Sequence, residues 1–395
     1  MSIISNESWF SRLTGSLKGI AIGGLISLVA FPLLFWNEGR AVHRAQTLAD
    51  GRGAVQDNVS NQRVDSSMEG KLVHMTGTAE STATLTDEKF AISVDNAIRL
   101  DRVVEMFQWQ ENEKTQSKKK VGGGRRTTTT FEYERVWSSS PIDSRGFQQS
   151  EQERYGSGNP PMPFASESYV APEVNFGAFK LSKNQIDRIN SAEPVQLAQP
   201  KVFEFNSEDS KPLKLVDNQY YQSDDPSNPR VGDIRIKFTT IGPTDVSFIY
   251  QQQGRSFVPQ KFSQGTIALF SEGSKTADEL FTEAETANNM LLWGLRLGGI
   301  LMMAFGIGLI LRPLAVLSDV IPFLGGLVGF GVAIIALLVA GALSLVTISI
   351  AWLFYRPLLA ITLLVIAAVM IFLARRFLRQ NRSNVIEIDQ PVVLG

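Results

Sequence analysis

The chain of 395 residues ends in an almost continuous apolar stretch, which its few polar positions divide into blocks at 291–311, 320–351 and 352–374. A helix needs roughly 20 apolar residues to cross a bilayer core about 30 Å thick, and each block can reach that length. A segment in lipid must satisfy its backbone hydrogen bonds internally, which a helix does. The pattern therefore predicts transmembrane helices at 291–311, 320–351 and 355–374.

A further apolar run, GIAIGGLISLVAFPLLFW, occupies residues 19–36 near the N terminus and contains Pro32. It is longer than the 7–15 apolar residues of a signal peptide, and no small-residue cleavage site follows it. Trp36 ends the run, and amphipathic rings favour the membrane–water interface. We interpret residues 19–36 as an uncleaved first transmembrane helix that follows a short cytoplasmic N terminus at 1–18.

Between the first two predicted spans, residues 37–290 contain no segment of spanning length, and apolar and polar positions there alternate with a period of two. Such alternation is typical of half-buried strands. Short helix candidates at 41–49 and 182–190 each precede a strand-rich stretch. The region is therefore predicted to be a large β-rich (α+β) domain, either one body or two small β-barrel or OB-like modules at 51–140 and 195–275.

The clearest element predicted in this domain is a hairpin. Aromatic and β-branched residues at 103–110 and 128–137 flank the sequence KTQSKKKVGGGRR, whose glycines suit a turn. Asp50 and Gly51 are expected to end the first short helix, and Ser182 is a candidate N-cap for the second. Further strands are predicted at 71–78, 90–94, 202–205, 233–240, 246–252 and 266–271, and a helix at 277–287.

Positive charge next to the spans predicts the orientation, because lysine and arginine are retained on the cytoplasmic side. The basic tail at 375–395 carries four arginines directly after the last span, and Arg12 and Lys18 precede the first. Arg40 and Arg44 oppose this assignment, but long domains translocate largely regardless of charge. Both termini are therefore predicted to be cytoplasmic and the large domain extracytoplasmic.

Composition narrows the function classes. The net charge of −1 provides no bulk electrostatic attraction to nucleic acid. The chain has no cysteine, which excludes disulfides, thiolate nucleophiles and zinc–thiolate or iron–sulfur sites. The two histidines, His43 and His74, are weak support for a metal site, and neither lies in a nucleophile motif such as G-x-S-x-G. We expect no enzymatic activity, no cofactor and no nucleic-acid partner.

Several short motifs, in the same order along the chain, resemble the LUMA family, also called transmembrane protein forty-three. The resemblance runs from about residue 20 to residue 374. Its motifs are NEGRAV at 37–42, TLA at 47–49, LVH at 72–74 followed by Gly77, VEMFQW at 104–109, VGDIR at 231–235 and WLFYRPL at 352–358.

The resemblance implies four spans, a large extracytoplasmic loop and no known catalytic chemistry. Animal members of the family are proteins of the endoplasmic reticulum and inner nuclear membrane, thought to organise membrane protein complexes with lamins and emerin as partners. The short N terminus and basic hairpin tip of this chain differ from those members. We therefore expect a bacterial member in the inner membrane, to which those partners do not carry over; the alternative is the endoplasmic reticulum or inner nuclear membrane.

The motif at the end of the first span includes Glu38 and Arg40. Charges beside a bilayer are costly unless they are paired or reach water. One hypothesis is that the two form a buried ion pair that fixes the junction between span and domain, and the alternative is that they mark the water boundary. Tyr355, Arg356 and Pro357 form an aromatic and basic turn typical of a membrane interface.

Two further sets of residues are candidates for contacts. Glycines at G-x-x-x-G spacing indicate close helix packing, within the chain or between subunits. The basic hairpin tip is predicted to meet anionic lipid or an acidic partner, or to be a solvated, mobile tip. The glycine pairs are Gly19 and Gly23, Gly294 and Gly298, and Gly325 and Gly329; the basic tip comprises Lys118, Lys119, Lys120, Arg125 and Arg126.

These features predict a multi-pass membrane scaffold that organises membrane protein complexes or membrane structure by self-assembly through its spans and its extracytoplasmic domain. Its expected partners are membrane lipids, further copies of the chain and other membrane proteins. The alternative is a channel or transporter formed by an oligomer, although ion pathways usually need ionisable residues within the spans. Arg296 lies near the start of the second span and can extend to the interface. A hydrolase would need a pocket with clustered carboxylates.

Overall fold

The computed structural model describes residues 2–148, 158–199 and 212–362, together with 365–366, 369–370, 372–373 and 375. The chain divides into two compact units. One, here called the β-rich unit, comprises Met1–Ser8, Gln46–Lys120 and Gly124–Thr286; the other, the helical unit, comprises Trp9–Ala45, Val121–Gly123 and Ala287–Gly395.

The described helices are α1 Trp9–Ala54, α2 Lys183–Ile186, α3 Ala277–Ser318 and α4 Pro322–Tyr355. Single 3₁₀ turns lie at Ser66–Met68 and Ser144–Gly146. By length and composition α1, α3 and the Leu324–Tyr355 part of α4 could each cross a membrane. The fourth predicted span, 355–374, is helical at 357–362, but several of its later residues lie outside the described part of the chain, as does most of the 375–395 tail.

Helix α1 is longer than the sequence predicts. It continues through the predicted stop at Asp50 and Gly51 and ends at Ala54. Gly51 allows close packing of α1, because a Cβ on it would lie 2.9 Å from Ile267 and 3.2 Å from Phe281. Residues 41–49 are helical as predicted, but they are part of α1, and the predicted end at Asp50 and Gly51 is wrong.

The second predicted helix is shorter than expected, since α2 ends at Ile186. Its capping box forms as the sequence suggests, with the side chain of Gln185 accepting the backbone N–H of Ser182 at 2.8 Å. Helix α3 includes the predicted helix at 277–287 and continues without a break into the second predicted span.

The strands are, in chain order, β1 Ser2–Glu7, β2 Leu72–Glu80, β3 Leu85–Asp87, β4 Ile92–Val94, β5 Arg99–Lys119, β6 Arg125–Ser138, β7 Glu167–Val170, β8 Asn175–Phe176, β9 Phe179–Lys180, β10 Glu193–Pro194, β11 Leu213–Val216, β12 Gln219–Gln222, β13 Ile234–Ile241, β14 Thr244–Gln253, β15 Ser256–Val258, β16 Gln260–Phe262, β17 Gly265–Ile267 and β18 Leu269–Glu272. The predicted strand at 202–205 lies outside the described residues.

The larger sheet has the order β1-β6-β5-β13-β12-β11, with β7 paired to β5 and β10 paired to β13. The predicted hairpin is its longest feature, since β5 and β6 pair from Met106 opposite Ser138 to Lys119 opposite Arg125. Strand β1 was not predicted, and it pairs antiparallel with residues 125–130 of β6, next to the hairpin turn.

The second sheet has the order β15-β14-β2-β8-β9, with β18 paired to β14, and β3–β4 and β16–β17 form separate hairpins. Strands from the two stretches proposed as modules pair with each other: β5 with β13, and β2 with β14. The two-module alternative is therefore wrong, and 51–140 and 195–275 belong to one β-rich body that includes a nearly closed, barrel-like sheet.

One continuous apolar core explains why the two stretches fold together. Val104 of β5, Ile236 of β13, Met75 of β2 and Phe248 of β14 are all completely buried in the same cluster. The ring of Phe248 lies 4.6 Å from that of Phe257, centroid to centroid, in a T-shaped arrangement. Because each sheet contributes one face, neither half could bury this surface alone.

A charged cluster on β5 and β13 adds to the cohesion of the larger sheet. The carboxylate of Glu105 accepts hydrogen bonds from Arg235 at 2.6 Å and Lys237 at 3.0 Å. Burial raises the pKa of Glu105, but the bonds to these two cations outweigh that effect and hold its pKa below the ordinary value of 4.5.

Candidate functional site

The buried charge cluster of the helical unit centres on Glu38 of α1, whose side chain is completely buried. Its carboxylate accepts two hydrogen bonds from Arg296 of α3, from Nε at 2.6 Å and from Nη2 at 2.8 Å. The indole N–H of Trp352 on α4 donates to the same carboxylate at 2.9 Å. One side chain thus connects the three long helices.

The guanidinium of Arg296 is also enclosed by aromatic rings. It lies 4.6 Å from the ring centroid of Trp293 and 5.9 Å from that of Trp352. A bidentate carboxylate and aromatic faces suit arginine, because its planar group donates in a fixed fork and stacks on rings. The expectation that Arg296 extends to the interface is not met, since it is almost fully buried and directed at Glu38.

Residues on either side of Glu38 continue the connection between α1 and α3. Asn37 donates to the carbonyl of Leu292 at 3.0 Å. Arg40 donates to the side-chain oxygen of Asn288 at 3.0 Å, and Asn288 donates back to the carbonyl of Ala41 at 3.0 Å. Arg40 therefore belongs to this polar seam, but the predicted ion pair between Glu38 and Arg40 is wrong because the partner of Glu38 is Arg296.

Gly39 completes the motif by making room for α4. A Cβ on Gly39 would lie 2.5 Å from the ring of Tyr355, so the ring rests directly on the helix backbone. Phe35 and His43, one turn away on either side, contact the same ring with centroid distances of 5.4 and 5.6 Å. Each of residues 37–40 thus has its own packing role in the helical unit.

Tyr355 is the last residue of α4, and the predicted interfacial turn follows it. Arg356 is the C-cap and donates its backbone N–H to the carbonyl of Trp352 at 2.8 Å. Pro357 begins the next stretch of helical residues. The turn therefore lies beside the Glu38 cluster, because Trp352 takes part in both.

A second buried ion pair lies at the opposite end of the long helices. Arg12 of α1 and Asp319, which follows α3, are 2.5 Å apart and both almost completely buried. Arg12 also donates to the carbonyl of Gly123, in the turn of the β5–β6 hairpin. The indole N–H of Trp9 donates to the carbonyl of Val316 at 2.9 Å.

The hairpin turn itself depends on glycine. Gly122 and Gly123 have φ angles of +85° and +79°, which strain any residue with a Cβ. A Cβ on Gly123 would also lie 2.3 Å from the ring of Trp9. The sequence identified this glycine cluster as a turn but not as a packing surface for the start of α1.

The basic tip is covered on one side by β1. Lys118 and Lys119 lie opposite Arg126 and Arg125, and Lys120 donates to the side chain of Asn6 at 2.7 Å. The tip of the hairpin is thus part of a three-stranded ribbon formed by β1, β6 and β5. Contact of Lys118, Lys119, Lys120, Arg125 and Arg126 with lipid or an acidic partner stays a prediction.

The first predicted glycine pair lies where α1 packs against α3. A Cβ on Gly23 would lie 2.4 Å from the carbonyl oxygen of Gly306, while one on Gly19 would make an ordinary 3.7 Å contact with the carbonyl of Leu309. Gly23 is therefore the position at which the two backbones approach most closely, and its neighbour Gly306 was not identified from the sequence.

The other two predicted glycine pairs have different surroundings. Gly294 and Gly298 have no atom within 4 Å of a built Cβ, so they lie on an open face of α3. Gly325 accommodates the carboxylate of Asp319, which would be 2.0 Å from its Cβ, and Gly329 again faces open space. Of these four glycines, Gly325 alone has a packing contact among the described residues.

The two histidines have separate surroundings. His74, buried on β2, has Nδ1 2.6 Å from the carboxylate of Asp57 and Nε2 2.9 Å from the carbonyl of Lys275. These contacts connect the residues that follow α1 to those that precede α3 within the β-rich unit. Among the described residues, no group of three His, Asp or Glu side chains is placed to hold a metal ion.

The β-rich unit contains a polar hollow of about 540 Å³ lined by ionisable side chains, which catalysis would require. Its carboxylate Glu167 accepts from Arg102 at 2.8 Å and from the hydroxyl of Tyr169 at 3.0 Å. Burial and the bond to Glu167 raise the pKa of Tyr169 to about 12, so this phenol stays protonated at neutral pH. The hollow is lined by Thr86, Glu88, Lys89, Glu167 and Tyr169.

The contacts of Glu167 bear on whether this hollow could act in hydrolysis. A nucleophile requires an adjacent base oriented by a third group. Here Glu167 is already the acceptor for a cation and a phenol, which are structural contacts. In the helical unit, the polar seam and the Glu38–Arg296 pair likewise connect α1 to α3.

Long apolar helices joined by buried polar contacts, and a large β-rich body, define an integral membrane protein of several spans. The chain belongs to the transmembrane protein 43 family, whose family model matches residues 106–357. No solved structure gives a significant match.

Animal relatives support this membership over nearly the whole chain. It is 33% identical to transmembrane protein 43 of Homo sapiens over 388 residues, which is 94% of this chain and 93% of that protein. Identity to the Rattus norvegicus protein is also 33%, over 93% of this chain and 92% of the relative. The Drosophila melanogaster homolog is 29% identical over 88% of this chain and 92% of the homolog. The bacterial origin expected above stays a prediction.

Proposed function

We propose that this protein is a membrane scaffold that organises membrane protein complexes or membrane structure by self-assembly. The charged groups of its helices carry the proposal. The apolar segments 19–36, 291–311 and 320–351 contain one ionisable residue, Arg296. Its guanidinium is neutralised by the bidentate bond to Glu38. A charge fixed in this way favours an anchor of constant geometry over a pathway that binds and releases ions.

An open face of α3 supports self-assembly. Trp293, Leu297 and Leu301 are each more than half exposed on this helix. Gly294 and Gly298 lie among them with nothing within 4 Å. Small residues let helix backbones approach closely in lipid, so a second copy is the partner that this face suits.

The size of the complex in a bilayer tests this proposal. We expect the full chain in nanodiscs to have the mass of at least two copies, and Gly298→Phe to shift it toward one copy. Leu338→Phe is the matched control, because Leu338 is an exposed apolar residue of α4. A strict monomer with no associated membrane protein would contradict the proposal, and ion flux in proteoliposomes would favour the channel alternative.

The proposed topology has both termini in the cytoplasm and residues 37–290 outside it, as the positive charges beside the spans favour. The bond between Arg12 and Gly123 bears on this topology, because it joins a residue assigned to the cytoplasmic side to one assigned to the other. Labelling of residues in the hairpin turn and in the rest of the β-rich unit therefore tests the topology.

The absence of cysteine from the chain makes this topology directly measurable. Single cysteines at Asp217, in the β-rich unit, and at Val121, in the hairpin turn, can be labelled with an impermeant maleimide in sealed vesicles. We expect Asp217→Cys and Val121→Cys both to react from outside, because both residues lie within 37–290. Reaction of Asp217→Cys from the cytoplasmic side would exclude the topology.

A further inference from the structure

An apolar groove of about 630 Å³ lies between α1 and α4 within the helical unit. Phe31, Phe35 and Trp36 form one wall, and Val346 and Ile350 form the other. The described residues do not fill this groove. Trp36 is 54% exposed and Val346 is 56% exposed. Both lie in helices that are long and apolar enough to cross a membrane.

The interfacial end of the groove has a different chemistry. Tyr355 lines it there, and Arg356 follows directly at the C-cap of α4. Arg356 is half-buried, and its guanidinium has no hydrogen bond or ion pair with any residue that the structure describes. The indole N–H of Trp36 and the hydroxyl of Tyr355 likewise lack partners among the described residues. A partly buried cation is costly without an anion, and Arg356 directly follows Tyr355, whose ring lines the groove, so an acceptor with several oxygens suits this end of it.

We propose that this groove binds an anionic phospholipid, with one acyl chain between α1 and α4 and the headgroup phosphate at Arg356. Apolar walls continuous with a cationic, donor-rich mouth match the two ends of such a molecule. A helix of a second copy would fill the walls but would leave Arg356 without an anion. Leu358, in the helical stretch that follows, is 82% exposed and does not cover the groove.

The position of the mouth supports a bilayer lipid as the occupant. Aromatic and basic side chains concentrate at the level of the headgroups. Tyr355 is held at this level by its contact with the backbone of Gly39 and by the rings of Phe35 and His43. The contact with Gly39 also connects this end of the groove to the Glu38 cluster, because Gly39 directly follows Glu38.

Native mass spectrometry of the full chain in mixed phosphatidylglycerol and phosphatidylcholine tests the proposal. We expect wild type to retain phosphatidylglycerol preferentially. Val346→Trp fills the groove and should lose the retained lipid, while Leu338→Trp, on an exposed part of α4 outside the groove lining, should keep it. Arg356→Gln should lower the preference for phosphatidylglycerol by about tenfold, as expected for the loss of one charge-assisted hydrogen bond.

Equal lipid retention in Val346→Trp and Leu338→Trp would overturn the proposal, as would an unchanged lipid preference in Arg356→Gln. If Val346→Trp does not fold, Ile350→Phe fills the same groove with a smaller change. The mass of each variant in nanodiscs is measured in parallel. A second copy as the occupant would appear as loss of the oligomer with Val346→Trp, whereas loss of lipid with the oligomer intact supports the site independently of self-assembly.

Discussion

The Glu38 cluster allows a prediction with a worked magnitude. Glu38→Ala removes both acceptors of Arg296 and the acceptor of Trp352, and leaves a buried guanidinium facing a cavity. Breaking a buried ion pair by removing one partner typically costs about 3–5 kcal/mol. We therefore expect the free energy of unfolding of Glu38→Ala to fall by about that amount.

Two companion variants separate charge from packing. Glu38→Gln retains an acceptor for the indole of Trp352, so its loss should be smaller, about 1.5–3 kcal/mol for one charge-assisted bond. The double variant Glu38→Leu with Arg296→Leu removes both charges. Replacement of a whole buried pair by apolar residues is often neutral or stabilising, so the double variant should be more stable than Glu38→Ala.

The assay is reversible unfolding in mixed micelles with increasing dodecyl sulfate, followed by tryptophan fluorescence. Arg52→Gln is the control, because Arg52 also connects α1 to α3, through Asp278 and Glu285, but at an exposed position. Such surface pairs contribute about 0–1 kcal/mol. A loss in Glu38→Ala no larger than that in Arg52→Gln would refute the view that the buried cluster holds the helices together.

Three further variants test other contacts. Gly23→Ala should destabilise the helical unit by about 1–3 kcal/mol in the same assay, because its Cβ meets a backbone carbonyl, whereas Gly24→Ala, which faces open space, should not. Gly325→Ala should lower the melting temperature by displacing the buried carboxylate beside it, with Gly329→Ala as the unaffected control. Glu105→Gln should be less stable than wild type at pH 7; since the folded-state pKa of Glu105 is lowered, this difference should disappear as the pH falls below 4.5, and a constant difference would contradict the assignment.

Hydrophobic patterning predicted the features that depend on local sequence. The apolar blocks became α3 and α4, and the alternating positions around VEMFQW became β5. The G-x-x-x-G spacing pointed to Gly23, whose packing against α3 follows from its lack of a side chain. Such features can be read from a few consecutive residues because helix and strand periods are local properties.

Partners that are distant along the chain could not be predicted in the same way. Glu38 was identified as a candidate, but its partner is 258 residues away and was taken for a residue that reaches the interface. Nothing in SIISNE specifies pairing with β6, because a polar strand has no face that must be buried. The apolar core that the two stretches share was also not predicted, since strand spacing does not reveal which of their strands pair.

The pairing of β1 has a consequence for how the protein is made. Residues 2–7 pair with residues 125–130, so this edge of the sheet stays open until more than a hundred residues that follow β1 have been synthesised. A truncation that removes β1 would expose the backbone of β6, which is a template for pairing with another chain. A fusion partner joined directly before residue 2 would be attached to this sheet edge.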